Sequence, residues 1–235
     1  MLSISSPFYF AIHQSISVAT KVKLVNDLLT MKKIFPVLPK QAPQRGTPLS
    51  RRFFKSLYLA QGWRFDGEFP NLPKAVAIVS PHTSNFDALY GFLAMLGLGI
   101  KLTVFGKDSL FKTPFKGLLN WIGVIPVQRD SPHGLTKQIV DVINSKNQIW
   151  IALAPEGTRK KAENFRSGFY HIAVGANIPI VMFALDYKEK AIHCLGVIHP
   201  TGNLEKDLDD ILKHYVGNFS PKNENRLATP LKKLL

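Results

Sequence analysis

The chain has 235 residues, 46% of them hydrophobic, with one cysteine and a formal net charge of +14. That length suits one α/β domain with added elements, and it suffices to bury a sizeable core. The composition excludes a mainly disordered chain, an internal disulfide framework and a cysteine-based zinc site. Cys194 reads as a small buried hydrophobe rather than a nucleophile. The charge is uneven: residues 1–60 hold nine Lys/Arg and one Asp, residues 61–203 hold 15 basic and 10 acidic side chains, and residues 204–235 hold 6 and 5. A surface this basic seeks phosphate, on nucleic acid or on an anionic membrane.

No segment reads as a membrane-spanning helix. Residues 1–20 carry no Lys, Arg, Asp or Glu, but they are rich in Ser, Gln, His and Thr and lack the basic start of a signal peptide. The apolar run Ala88–Ile100 has 13 residues, and about 20 are needed to cross a bilayer. The expectation is a cytoplasmic protein that is peripheral on the inner face of the cell membrane.

Residues 21–35 place Leu24, Leu28, Met31 and Phe35 at helical spacing among Lys21, Lys23, Lys32 and Lys33. Four prolines between 36 and 48 then predict a linker over 36–50. A second basic segment follows, with Phe53/Leu57 and Phe54/Tyr58 paired at i, i+4. The two pieces read either as membrane-surface helices or as helices packed on the domain with solvated lysines.

From Gly62 the pattern alternates. Strands are predicted at 62–68, 75–80, 102–106, 123–129, 149–154, 179–187 and 191–198, with helices near 86–98, 109–121, 134–146 and 166–176. A last helix is predicted at 204–216, and 217–235 reads as a tail. The expected architecture is a mixed, mainly parallel α/β sheet flanked by helices. It divides into a basic N-terminal helical extension (1–60), an α/β domain (61–203) and a C-terminal helix and tail (204–235).

Three strand exits carry candidate chemistry. In Ser80-Pro81-His82-Thr83-Ser84-Asn85-Phe86-Asp87, a carboxylate in the first helical turn can fold back onto an imidazole and fix its tautomer. The bland alternative is an Asp capping a helix beside an unrelated His. In Ala154-Pro155-Glu156-Gly157-Thr158-Arg159, glycine permits close backbone approach and arginine offers a fork for phosphate. The alternative there is a polar turn with solvated charges. The third is Gly106-Lys107 after a strand, with Arg129 beyond Gly123; alone, these cations read as surface charges. A Walker P-loop and a G-x-S-x-G elbow are both lacking.

Together and in this order, His82-x4-Asp87, the Gly106…Arg129 block and Glu156-Gly157-Thr158-Arg159 resemble the glycerolipid (lysophosphatidic-acid-type) acyltransferases, in their bacterial short form, over roughly residues 60–200. Ile178-Pro179-Ile180-Val181 matches a fourth motif of that family, with Met182 where the family commonly has Pro. The resemblance implies that His82 is a general base oriented by Asp87. It implies an acceptor site of Glu156, Gly157, Thr158, Arg159, Gly106, Lys107 and Arg129, with Ser84 and Asn85 lining the same pocket. It implies an acyl donor thioester, acyl-CoA or acyl-carrier protein, and a lysolipid acceptor such as 1-acylglycerol-3-phosphate. It also implies an anionic membrane surface as partner, and neither a cofactor nor a metal. Two alternatives stand beside it: the same chemistry on a non-glycerophosphate lysolipid, and a non-catalytic lipid-binding protein. Nucleic acid is not an expected partner, because no nucleic-acid-binding motif is present.

Overall fold

The computed structural model describes residues 35–107, 111, 114, 116–127 and 134–235, with backbone alone at 106, 107 and 127. The first described helix, α1 (Pro48–Ala60), starts inside the predicted linker. Thr47 and Ser50 form a capping box, and Pro48 takes the first turn, where its missing N–H costs nothing. The basic helix expected at 21–35 lies outside the described residues except for Phe35, which is buried.

The strands are β1 (Arg64–Asp66), β2 (Lys74–Ser80), β3 (Leu102–Lys107), β4 (Val124–Val127), β5 (Ile149–Leu153), β6 (Ile180–Asp186) and β7 (Ala191–Ile198). They form one sheet in the order β1-β7-β6-β2-β5-β3-β4. The run β6-β2-β5-β3-β4 is parallel throughout, whereas β7 pairs antiparallel with β6 and β1 runs with β7. This is the mixed, mainly parallel α/β sheet that the alternating pattern predicts.

Helices cover both faces. They are α2 (Asn85–Leu98), α3 (Lys116–Ile122), α4 (Leu135–Asn144), α5 (Gly168–Ala176), α6 (Leu204–Tyr215) and α7 (Thr229–Lys232). Strand residues alternate between the two cores, as period-2 pleating requires. Val76 and Ile78 of β2, Ile149 and Ile151 of β5, and Ile180 and Met182 of β6 face one core with α4, α5 and α6. Ala75, Ala77, Trp150, Val181, Phe183 and Leu185 face the other, with α1 and α2. α1 lies close on α2 because Gly97 has no side chain: a Cβ there would sit 2.9 Å from the Lys55 backbone N.

One expectation lies partly outside the described residues, and one changes. The helix predicted at 109–121 is described only from Lys116. Residues 217–235 are not a loose tail. Phe219, Leu227 and Leu231 are buried in the α4/α5/α6 core, and Ser220 forms a bridge with Asp186 at the end of β6. Their apolar residues are too widely spaced to show a helix or strand period, so the sequence pattern hides them.

Candidate active site

In an open parallel sheet, ligand-binding loops lie beyond the carboxyl ends of the strands. β2, β5, β6 and β3 all end on the same edge, so Ser80, Leu153, Asp186 and Lys107 share it. Beyond β2 the Ser80–Pro81 peptide is cis, and the chain turns through His82 into α2. Ser84 caps that helix, its Oγ accepting the Phe86 N–H at 3.2 Å.

His82 and Asp87 meet. His82 Nδ1 lies 3.3 Å from Asp87 Oδ2, and the Asp87 side chain is 1% exposed against 26% for His82. Asp87 Oδ2 also accepts the Thr83 N–H at 2.6 Å and the Ser84 N–H at 2.7 Å, and Oδ1 accepts the Tyr187 hydroxyl at 2.5 Å. Burial pushes the carboxyl up, but the His82, Tyr187, Ser84 and Thr83 contacts outweigh it and hold Asp87 below its ordinary value. The capping alternative is therefore also true: one carboxylate caps α2 and contacts the imidazole. With Nδ1 turned to Asp87, Nε2 is the nitrogen left for proton transfer.

Glu156 lies behind this pair. It is 2% exposed, and its Oε1 accepts both the Ser80 hydroxyl and the His82 backbone N–H, the latter at 3.0 Å. Oε2 is buried without a hydrogen-bond partner. Burial raises the Glu156 carboxyl above its ordinary value despite those donors, which favours a neutral acid. The rest of its motif forms an exposed turn. Gly157 has φ +64°, and a Cβ there would lie 2.4 Å from Arg166 Cδ, so glycine serves both the turn and the Arg166 stem that crosses it. Thr158 Oγ1 accepts the Lys160 N–H at 3.2 Å, and Arg159 is exposed.

The geometry thus joins His82, Ser84, Asp87 and Glu156, and puts Gly157–Arg159 at the next strand exit. Asn85 is the exposed first residue of α2. Gly106 and Lys107 end β3, beside β5, on the same edge, and Arg129 lies outside the described residues. Cys194 is half-buried, and burial pushes its thiol up to about 11, which fits a packing role. Motif reading misses Ser80's bond to Glu156 and misses Tyr187 altogether. The one signal for Tyr187 is its place directly after a buried strand.

An apolar cavity of about 260 Å³ opens beside His82 and Asp87 and runs between α2 and the sheet. Ala152 and Ala154 keep the β5 side shallow, Gly91 keeps the α2 side open, and Phe65, Phe69 and Phe183 lie at its walls. His82 and Asp87 are the polar members of its lining, and the rest is hydrocarbon. Among the described residues, no cluster of His, Cys, Asp and Glu is placed to hold a metal ion, and no helix is long and apolar enough to cross a membrane.

Comparison with known proteins bears on the fold and the family. No curated protein matches the chain. A solved structure, the 1-acyl-sn-glycerophosphate (LPA) acyltransferase PlsC from Thermotoga maritima, is similar in fold with a TM-score of 0.50 at 13% identity, over 70% of this chain and 76% of that one. The acyltransferase family model matches residues 67–186, a span that contains β2 through β6 and the whole His82–Asp87–Glu156 arrangement. The chain belongs to the acyltransferase family.

Proposed function

We propose that this protein moves a fatty acyl group from acyl-CoA or acyl-carrier protein to a hydroxyl of a lysophospholipid such as 1-acylglycerol-3-phosphate. The observation that carries the reading is the apolar cavity whose polar end is His82 and Asp87. The acyl chain of the donor lies in the cavity with its thioester at His82. His82 Nε2 takes the acceptor hydroxyl proton as the oxygen attacks the thioester carbonyl. The carbon–sulfur bond then breaks, and the imidazolium returns the proton to the departing thiolate. Asp87 stabilises the imidazolium, and general-base catalysis of this kind contributes roughly 10²–10⁴-fold. No covalent acyl-enzyme is needed.

Acceptor binding falls to the loops on the same edge. Lys107, Arg129 and Arg159 supply positive charge for the phosphate. Gly106, Gly157 and Thr158 give close backbone approach, and Ser84 and Asn85 line the mouth. Glu156 enters as a brace under His82, because its carboxyl is buried and its Oε1 is already engaged. The protein works at the cytoplasmic face of the membrane, where its acceptor resides, held by basic and apolar side chains of the N-terminal part.

Thiol release from acyl-CoA, with 1-acylglycerol-3-phosphate as acceptor, tests the reading. His82→Ala and Asp87→Ala should each lower kcat by about 10²-fold or more. Wild-type rates in either variant refute the mechanism. Transfer only to lysolipids without a glycerophosphate head would move the acceptor to the second class, and vesicle binding without any thiol release would leave a lipid-binding protein.

A further inference from the structure

We infer that Tyr187 is a positioning residue for the reaction, acting on His82 through Asp87. The inference rests on the proposed His82–Asp87 mechanism and adds to it a residue just beyond the span of the family match, which ends at Asp186.

A carboxylate that orients a histidine must itself be fixed in rotation. Otherwise its oxygens exchange places and the imidazole loses its direction. Asp87 Oδ2 is held by two backbone N–H groups at 2.6 and 2.7 Å and faces His82 Nδ1. Those contacts gather at one oxygen. The Tyr187 hydroxyl supplies the missing constraint at the other, donating to Oδ1 at 2.5 Å. With both oxygens engaged, the plane of the carboxylate is set.

Tyr187 is fixed in turn. Its ring meets Trp63 edge-on at 5.1 Å and Tyr90 at 6.1 Å, and Lys222 Nζ lies over it at 5.5 Å. Its backbone N–H donates to Ser220 O at 3.2 Å, in the C-terminal segment. The same segment reaches the catalytic turn: the Asn223 N–H donates to Thr83 Oγ1 at 3.3 Å, and Arg226 Nη1 donates to Thr83 O at 3.5 Å. Residues 220–226 therefore hold the hydroxyl donor and the His82–Asp87 turn to a common strap. Burial and the Asp87 charge push the phenol well above its ordinary value, so it stays a donor.

Tyr187→Phe keeps the ring and removes the hydroxyl. The expected result is a kcat lower by about tenfold, the size of a hydrogen bond to a charged group, with the acyl-donor KM little changed and the melting temperature lower, because buried Asp87 Oδ1 loses its donor. In an Asp87→Ala background the same substitution should cost nothing further, because its target is gone. A wild-type kcat in Tyr187→Phe overturns the inference. So does a loss of equal size in both backgrounds, or a raised KM at unchanged kcat. Asp87→Ala at wild-type rate overturns the His82–Asp87 mechanism itself, and the role of Tyr187 with it; a slow Asp87→Ala beside a fully active Tyr187→Phe sinks Tyr187 alone.

Discussion

The His82 backbone N–H donates to Glu156 Oε1 at 3.0 Å, tying the exit of β2 to the exit of β5 across 74 residues. The Ser80 hydroxyl ends on the same oxygen, so one carboxyl spans the turn that presents the imidazole. A glutamine can do the same work, since its carbonyl accepts both donors and the carboxyl is biased towards its neutral form. Glu156→Gln should therefore keep kcat within a few-fold and leave the acceptor KM unchanged. Glu156→Ala removes the acceptor from two donors, at about 1–3 kcal/mol for each buried group left unpaired, and should lower both the melting temperature and kcat. A large rise in acceptor KM in Glu156→Gln would mean that the carboxylate faces substrate after all.

Asp87 and Glu156 impose opposite pH dependences on stability. Asp87 is held below its ordinary 3.8. A lowered carboxyl contributes stability that is present above the ordinary value and lost as pH falls through the folded one. Glu156 is held above its ordinary 4.5. A raised carboxyl contributes stability that is present below the ordinary value and lost as pH rises through the folded one. Thermal melts at a series of pH values separate them. The wild-type advantage over Asp87→Asn should grow as pH rises from the acid side, and that over Glu156→Gln should shrink. Parallel curves for the two pairs would contradict both assignments.

How far the sequence leads depends on whether an interaction is local. His82 and Asp87 are five residues apart at a strand–helix junction, so spacing offers pairing and capping as alternatives for Asp87, and only the geometry shows it doing both. The strands are readable because apolar runs such as Ile149–Leu153 are bounded by clear breakers. Glu156 is readable as important but not as a brace, because its partners Ser80 and His82 lie over 70 residues away. Tyr187 and the strap over 220–226 depend on sheet order, which places β6 next to β2, and nothing in the local pattern encodes that neighbour.

Gly91 controls the bore of the cavity. It lies on the α2 wall, and a Cβ built there meets nothing within 4 Å. Gly91→Ala should thus be tolerated, and in a helix interior alanine gains up to about 1 kcal/mol over glycine. Gly91→Leu would place a branched side chain in the alkyl path. The expected outcome is a preference shifted towards shorter acyl donors, read as kcat/KM over a chain-length series, with the melting temperature preserved. An unchanged series would mean that the acyl chain lies elsewhere.

The membrane contact proposed from the net charge of +14 has a candidate surface on the outer face of α1. Leu49, Phe53 and Leu57 follow one another at intervals of four, so they form a single stripe, exposed by 78, 62 and 42%, with Arg52 exposed beside it. Side chains of this kind normally bury, and an apolar stripe with basic neighbours suits the boundary between lipid headgroups and acyl chains. Replacing the three with serine should weaken sedimentation with anionic vesicles and lower the rate on vesicle-borne acceptor, while leaving kcat on detergent-dispersed acceptor intact, because α1 contributes no group to the His82 turn. Salt should weaken binding of the wild type through the basic component, over the range where the screening length falls below about 10 Å. If the serine variant sediments as the wild type does, the stripe is not the docking face.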